Sequence, residues 1–259
     1  MNRLQTELDR LYLGGLVFAQ EDAQTSSLVD ARGRVRALVM EVVQPTGWEA
    51  LSRAWQGVQA ELELPAPAIA VSGTDGLQLW FSMEASIDVA QAHAFLDALR
   101  ARFLADVPPK RVRLMPDPAH PLHHAALVPA LQASGDTWSA YVAPDLAGVF
   151  SGAPWLDVEP GEEGQAALLR GLHAIKPPAF ADAFARLTAG ARDAHAKAGA
   201  LATAPDAAGG ASSAAAPTDD PRRFLLRVMN DETVPLALRI EAAKALLPRG
   251  DLPPELTCN

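Results

Sequence analysis

The sequence predicts an α+β protein: a mixed sheet of strand hairpins covered by two long helices, then a C-terminal α-helical hairpin on a flexible linker. Three observations carry this. In residues 1–195, β-branched runs bounded by Gly and Asp alternate with amphipathic stretches of helical period. From Ala196 to Asp219, 20 of 24 residues are Ala, Gly, Ser, Pro or Thr, which offer little to bury. Beyond them, Asp220 to Leu247 regains a helical stripe. The expected divisions are therefore 1–195, an α+β domain; 196–219, the linker; and 220–259, a helical hairpin with its tail. With 259 residues, 49% hydrophobic and 20% charged, a sizeable core is available and a wholly disordered chain is excluded.

Each element has a local cause. Ser27 to Val43 reads as a hairpin around Asp30-Ala31-Arg32-Gly33. Thr46-x-x-Glu49 forms a capping box for a helix whose stripe is Leu51, Trp55, Val58 and Leu62, ended by Pro65 and Pro67. Ala68–Ser72 and Leu77–Met83 are strands around Gly73-Thr74-Asp75-Gly76. A second amphipathic helix runs from Asp88 to Leu104, with Ala92, Phe95, Leu96, Leu99 and Phe103 inward. Val112–Met115 and Trp138–Val142 are short strands. Gly164–Ile175 and Ala179–Ala194 are helices separated by Pro177-Pro178. In the C-terminal hairpin, Asp220 caps a helix with Pro221 first, Asn230-Asp231 breaks it, and Pro235 starts its partner.

Composition narrows function. A net charge of −9 argues against indiscriminate phosphate binding by the whole surface. The single cysteine, Cys258, excludes intramolecular disulfides and Cys-based zinc sites, and points to a reducing compartment. Charged residues interrupt Met1–Leu13, and no stretch of about 18 uncharged apolar residues occurs, so a soluble cytoplasmic protein without a membrane partner is expected. No G-x-x-x-x-G-K-[ST], G-x-S-x-G or G-x-G-x-x-G is present, which removes the main support for P-loop, α/β-hydrolase and Rossmann chemistry.

Four groups of residues are candidates for chemistry. Glu41 is an acid on a strand face that also carries Val35, Ala37, Val39 and Val43, either exposed at a strand end or set in a cleft as a metal or base carboxylate. Ser72, Gly73 and Gly76 leave backbone N–H groups for a phosphate, and Gln78 and Trp80 share a face where an indole beside an amide suits a base. The alternative is an ordinary hairpin with its Trp packed beneath a loop. Arg32, Arg34 and Arg36 repeat at spacing two, and Arg100, Arg102, Lys110, Arg111 and Arg113 cluster downstream. Together they form a local positive patch, or simply solvate two faces. His120, His123 and His124 beside Asp117 match no standard zinc spacing.

Ala37-Leu38-Val39-Met40-Glu41-Val42-Val43, the helix with Trp55, Val71-Ser72-Gly73-Thr74-Asp75-Gly76-Leu77-Gln78 and the following helix, taken in order, resemble the catalytic core of archaeo-eukaryotic primase-polymerases. That family carries an acidic pair, h-h-h-D-h-D/E, on a strand, then a helix, a strand, an S-G-x-x-G-x-H hairpin and another helix. Arg111-Val112-Arg113-Leu114-Met115-Pro116 looks like the segment approaching its third motif. The resemblance implies an acidic pair holding two divalent ions, Mg or Mn, and a histidine on nucleotide phosphate. Here Val39 and Val43 stand at both partner positions of Glu41, and Gln78 stands at the histidine. Asp117, Asp145 and Asp157 are the candidates for a third acid. Residues 224–247 are also similar to helical segments of phage packaging proteins, which points to mobile-element biology.

The expectation is thus a degenerate primase-polymerase-like protein that binds nucleotide or single-stranded nucleic acid. Arg32, Arg34, Arg36, Arg111 and Arg113 would meet phosphates and Trp80 would stack, with Glu41 a vestigial catalytic residue holding Mg or Mn weakly. Two rivals stand beside it. One is a protein-interaction scaffold that docks a protein partner through 220–247. The other is an active metal-dependent nucleotidyltransferase using Glu41 with the His120–His124 loop. Convergence of Arg34, Gln78 and Arg113 on one concave face favours binding; scatter favours the scaffold.

Overall fold

The run Ala37-Leu38-Val39-Met40 and the pair Val42-Val43 leave no polar side for water, and a strand of this kind is stable only when both of its faces are covered. The computed structural model satisfies that requirement. It describes residues 2–14, 16, 28–119 and 125–202, with side chains as far as 190. The expected linker start is corrected, because residues 196–202 are helical; the rest of that stretch from residue 203, the expected C-terminal hairpin and the His120–His124 loop lie outside the described residues.

The elements run α1 (Arg3–Leu8) into a π-helical turn (Asp9–Leu13), β1 (Arg34–Val43), α2 (Trp48–Ala60), β2 (Ala68–Val71), β3 (Gly76–Asp88), α3 (Val89–Phe103), β4 (Val112–Met115), β5 (Ala130–Leu131), β6 (Trp138–Val142), α4 (Glu162–Arg170) and α5 (Pro177–Ala202). The sheet order is β4-β1-β3-β2-β6-β5. Every ladder between these strands is antiparallel, so the expected mixed sheet is corrected to an antiparallel one. Its first four strands, with α2 and α3 as crossovers, make a βαββαβ unit in the order 4-1-3-2, the ferredoxin-like arrangement. All described residues belong to a unit that ends at Ala204.

On one face, Leu38, Met40 and Val42 of β1 and Leu77, Leu79 and Phe81 of β3 meet Leu51 and Val58 of α2, Phe95 and Leu99 of α3, and Phe180 of α5. On the other, Ala37, Val39, Ala70, Trp80 and Tyr141 meet Leu8, Leu11 and Tyr12 of the N-terminal helix and Ala166 and Leu169 of α4. The second layer is missing from the sequence reading, although Leu4, Leu8 and Leu11 repeat at helical spacing and Asn2 caps the helix by accepting from the Gln5 N–H.

Two local corrections follow. The register of β1 against β3 shifts between Val35 and Ala37, where four residues of β3 stand opposite Arg36. Val35 therefore packs with Leu38 and Met40, not on the face of Glu41. The capping box of α2 is replaced by a cap from elsewhere: Gly47 is the cap residue, and the first helical N–H, of Trp48, donates to Ser151 Oγ at 3.0 Å.

Candidate functional site

Register brings distant residues into one row. Arg113 of β4 lies opposite Glu41 of β1, Glu41 opposite Gln78 of β3, Gln78 opposite Ala70 of β2, and Ala70 opposite Tyr141 of β6. Residues directly opposite in an antiparallel sheet share a face, so Arg113, Glu41 and Gln78 lie side by side within about 10 Å. Glu41 and Gln78 lie opposite each other, on the face turned away from α2 and α3.

Glu41 is buried at 3% exposure. Its carboxylate lies over Gly76, where an added Cβ would collide with the Glu41 side chain, so glycine at 76 makes the room it occupies. Loss of solvent pushes the Glu41 carboxyl above its ordinary range, Arg113 pulls it back, and Asp75 adds to the upward push. Arg113 Nη1 is 3.4 Å from Glu41 Oε2. The same guanidinium donates bidentately to Asp75, Nη1 to Oδ1 and Nη2 to Oδ2, both at 2.9 Å. That hydrogen-bonded fork, aided by direct charge attraction, holds the Asp75 carboxyl below its usual range against partial desolvation.

Asp75 is the residue that sequence reasoning missed. The available signal was its place in the Asp75-Gly76 turn, which β3 carries back beside the acidic end of β1. The chain thus has a second carboxylate near Glu41, but a guanidinium stands between the two. A divalent ion needs oxygens converging on one point. Here the cation between the acids is Arg113, so the arrangement does not fit the Mg or Mn expected at Glu41. Among the described residues, no group of three His, Cys, Asp or Glu side chains is placed to hold a metal. Asp145 and Asp157 are exposed, and Asp117 follows β4.

The N–H groups of Gly73, Thr74 and Gly76 in the Ser72–Gly76 turn are all used within the protein. Ser72 Oγ accepts from the N–H groups of Thr74 at 3.2 Å and Gly76 at 2.9 Å. Gly73 N–H donates to Pro154 O at 3.0 Å, and Gly73 O accepts from Thr137 Oγ1. Gly73 adopts φ +84°, and a Cβ there would lie 2.7 Å from Gln132. The expected phosphate cradle at Ser72, Gly73 and Gly76 is corrected: these groups brace the turn against the β5–β6 hairpin.

Trp80 is 1% exposed, edge-on to both Tyr12 and Tyr141, and its indole N–H donates to Gln78 Oε1 at 2.8 Å. The expected base-stacking face is inside the second core, and Gln78 is occupied in satisfying a buried indole. Ser82, farther along the same face, donates to Leu11 O at 2.7 Å.

The arginines scatter. Arg32 is exposed on the turn before β1. Arg34 donates to Ser86 Oγ and Ser86 O, and lies 3.6 Å from Asp88. It stands seven residues from Glu41, roughly 23 Å along the strand. Arg36 donates to the carbonyls of Met83, Gly14 and Arg10, pinning the end of the N-terminal helix to the sheet. Arg111 donates to Gln44 O. Downstream, Arg100 pairs with Asp97 and Arg102 with Glu61. The expected common phosphate face of Arg32, Arg34 and Arg36 is corrected: β1 begins at Arg34, and the register shift sends Arg36 to the N-terminal layer.

No family model matches this chain, and no curated protein matches it at a significant level. Among the described residues, no helix is long and apolar enough to cross a membrane.

Proposed function

We propose that the chain is a non-catalytic relative of the primase-polymerase core that serves as a protein-interaction scaffold. The observation that carries this reading is the Asp75–Arg113–Glu41 bridge, in which a side-chain cation takes the place that a catalytic metal would need. Relatedness is supported by the βαββαβ order and by the placing of Glu41 opposite Gln78, beside the Ser72–Gly76 turn. Topology alone hosts many functions, so the site decides. Non-catalysis is supported because two-metal phosphoryl transfer clamps both the attacking and the leaving oxygen between two ions. The scaffold role is supported over nucleic-acid binding by the use of Arg34, Arg36, Arg111 and Arg113 as internal ties and by the burial of Trp80.

A second reading, contact with nucleotide or single-stranded nucleic acid, is favoured by one observation: Arg113 remains half exposed at the mouth of the cluster. One titration separates the two. Fluorescence anisotropy with labelled single-stranded DNA, RNA and ATP at 50 and 200 mM salt is expected to give no saturable signal from the full chain. Saturable binding that weakens steeply with salt and falls in Arg113→Ala would establish the second reading instead. Primer-extension and dinucleotide-synthesis assays with Mg²⁺ or Mn²⁺ are expected to yield no product. Metal-dependent product abolished by Glu41→Ala would show an active nucleotidyltransferase.

A further inference from the structure

The outer surface where α2 meets the 3-10 turn Ala147–Ser151 carries groups that the fold does not use. Leu146 and Val149 are 51% and 75% exposed, two of the four large apolar side chains exposed among the described residues. Both border Trp48. Its backbone N–H donates to Ser151 Oγ, and Gly148 lies against the Cδ1 edge of its indole, where an added Cβ would stand 3.6 Å away. Trp55 follows two turns along α2, with its ring 6.4 Å from that of Trp48. The Trp55 indole N–H donates to Pro67 O at 3.2 Å, which fixes that ring. Both indoles are only half-buried.

One donor on this surface is unpaired. The Trp48 indole N–H has no hydrogen-bond partner among the described residues, where the Tyr141 hydroxyl is the one buried side-chain polar atom without a partner. The Trp48 N–H is therefore reached by solvent. It lies next to Cδ1, on the edge that Gly148 leaves uncovered for want of a side chain. Charge flanks the surface with one sign. Glu49 and Asp145, the chain neighbours of Trp48 and Leu146, are exposed, and neither pairs with a cation among the described residues. A ligand here must bring an acceptor for the indole N–H, flat apolar bulk for the rings, and positive charge at its ends.

We infer that this surface takes a proline-rich segment of a partner protein, in the extended polyproline form and flanked by Lys or Arg. The inference rests on the scaffold reading and names its partner. Proline rings pack flat on the indoles and on Leu146 and Val149, and their carbonyls accept from the Trp48 N–H. Proline has no N–H of its own, so none is stranded on an apolar surface. The segment is stiff before it binds, so little conformational entropy is lost in ordering it. Its Lys or Arg residues meet Glu49 and Asp145.

The test uses the full chain and two fluorescein-labelled peptides of equal length with two arginines at each end. One has a central run of eight prolines, the other alternating glycine and serine. Saturable anisotropy is expected with the proline peptide and none with the other. Trp48→Phe keeps an aromatic ring and removes the donor, and should weaken binding about three- to tenfold. Gly148→Val covers the indole edge and should weaken it about tenfold or more. Arg53→Ala, on the side of α2 that meets Asp106, should leave it unchanged. Unfolding curves confirm that each variant is folded; if Trp48→Phe is not, Gly148→Val, at an exposed turn, decides alone. No saturable signal with the proline peptide, equal affinity for both peptides, or an affinity that Gly148→Val leaves intact overturns the inference. So does a concentration-dependent dimer in sedimentation that Gly148→Val disrupts, which would put a second copy on this surface. Saturable nucleic-acid binding in the titration above overturns the scaffold reading itself.

Discussion

The two faces of the central strands solve the same burial problem by different means. Toward α2 and α3, β1 and β3 present Leu38, Met40, Val42, Leu77, Leu79 and Phe81, an uninterrupted apolar surface that needs only shape. Toward the N-terminal helix and α4, the same strands present Glu41, Gln78, Trp80 and Ser82, nearly as deeply buried. Each polar group there must find a specific partner. Arg113 comes from β4, Leu11 O from the N-terminal helix, and Gln165 of α4 clamps Tyr141 by bonding both its backbone N–H and its C=O. The apolar face is stabilised by area removed from water; the other face is specified by matched donors and acceptors.

Neighbouring residues on the two faces should therefore differ in kind. Trp80→Ala removes a fully buried ring and strands the Gln78 amide oxygen, and is expected to cost about 3–5 kcal/mol in chemical denaturation. Leu79→Ala on the opposite face should cost about 2–5 kcal/mol. The faces separate in conservative changes. Trp80→Phe still loses about 1–3 kcal/mol through the unpaired amide, whereas Leu79→Met stays under about 1.5 kcal/mol. Equal costs for the two conservative variants would erase the distinction.

A smaller effect tests the room made for Glu41. Gly76→Ala should cost about 1–3 kcal/mol because the new methyl meets the Glu41 side chain. Truncating that side chain with Glu41→Ala should recover part of the loss, giving a coupling of about 0.5–3 kcal/mol in a double-mutant cycle. Additive costs would mean that the two residues do not share the space.

The pH dependence of the polar face has a definite sign. The Glu41 carboxyl is raised in the folded state, chiefly by desolvation, so the fold holds this proton more tightly than the unfolded chain does. The associated stability is fully present below the ordinary carboxylate value and is lost as pH rises through the raised one. Glu41→Gln removes the titration and should melt no lower than wild type at pH 7. Relative to Glu41→Gln, the wild type should gain stability as the pH is lowered toward 4. Least of all, Arg53→Ala should move stability by no more than about 0.5 kcal/mol, because its pair with Asp106 is exposed.

What the sequence showed, and what it hid, follows the same division. Period-two alternation in Leu77–Met83 and the helical stripe through Phe95 and Leu99 depend only on the chain's own repeat, and both stand in the structure as read. β4 and β6 match their expected bounds, Val112–Met115 and Trp138–Val142. The polar face was hidden because its partners are set by register over long separations. Arg113 meets Asp75 38 positions away, and Ser151 caps Trp48 from 103 positions away. The register shift opposite Arg36 also defeats simple alternation, which is why Val35 was placed on the wrong face. Trp80 admits two readings, a surface platform or a packed ring, because its polar neighbours, Gln78 and Ser82, are the marks of an exposed face; here that face is turned inward and satisfied, and the ring is packed.

The central claim is that Arg113, not a metal ion, balances the carboxylates of Glu41 and Asp75. Titrating Mn²⁺ into the metal-free full chain, with free Mn²⁺ read by electron paramagnetic resonance, tests it directly. The account predicts no stoichiometric site in the wild type and no change in Glu41→Gln. One tightly bound Mn²⁺ per chain, lost in Glu41→Gln, would contradict it.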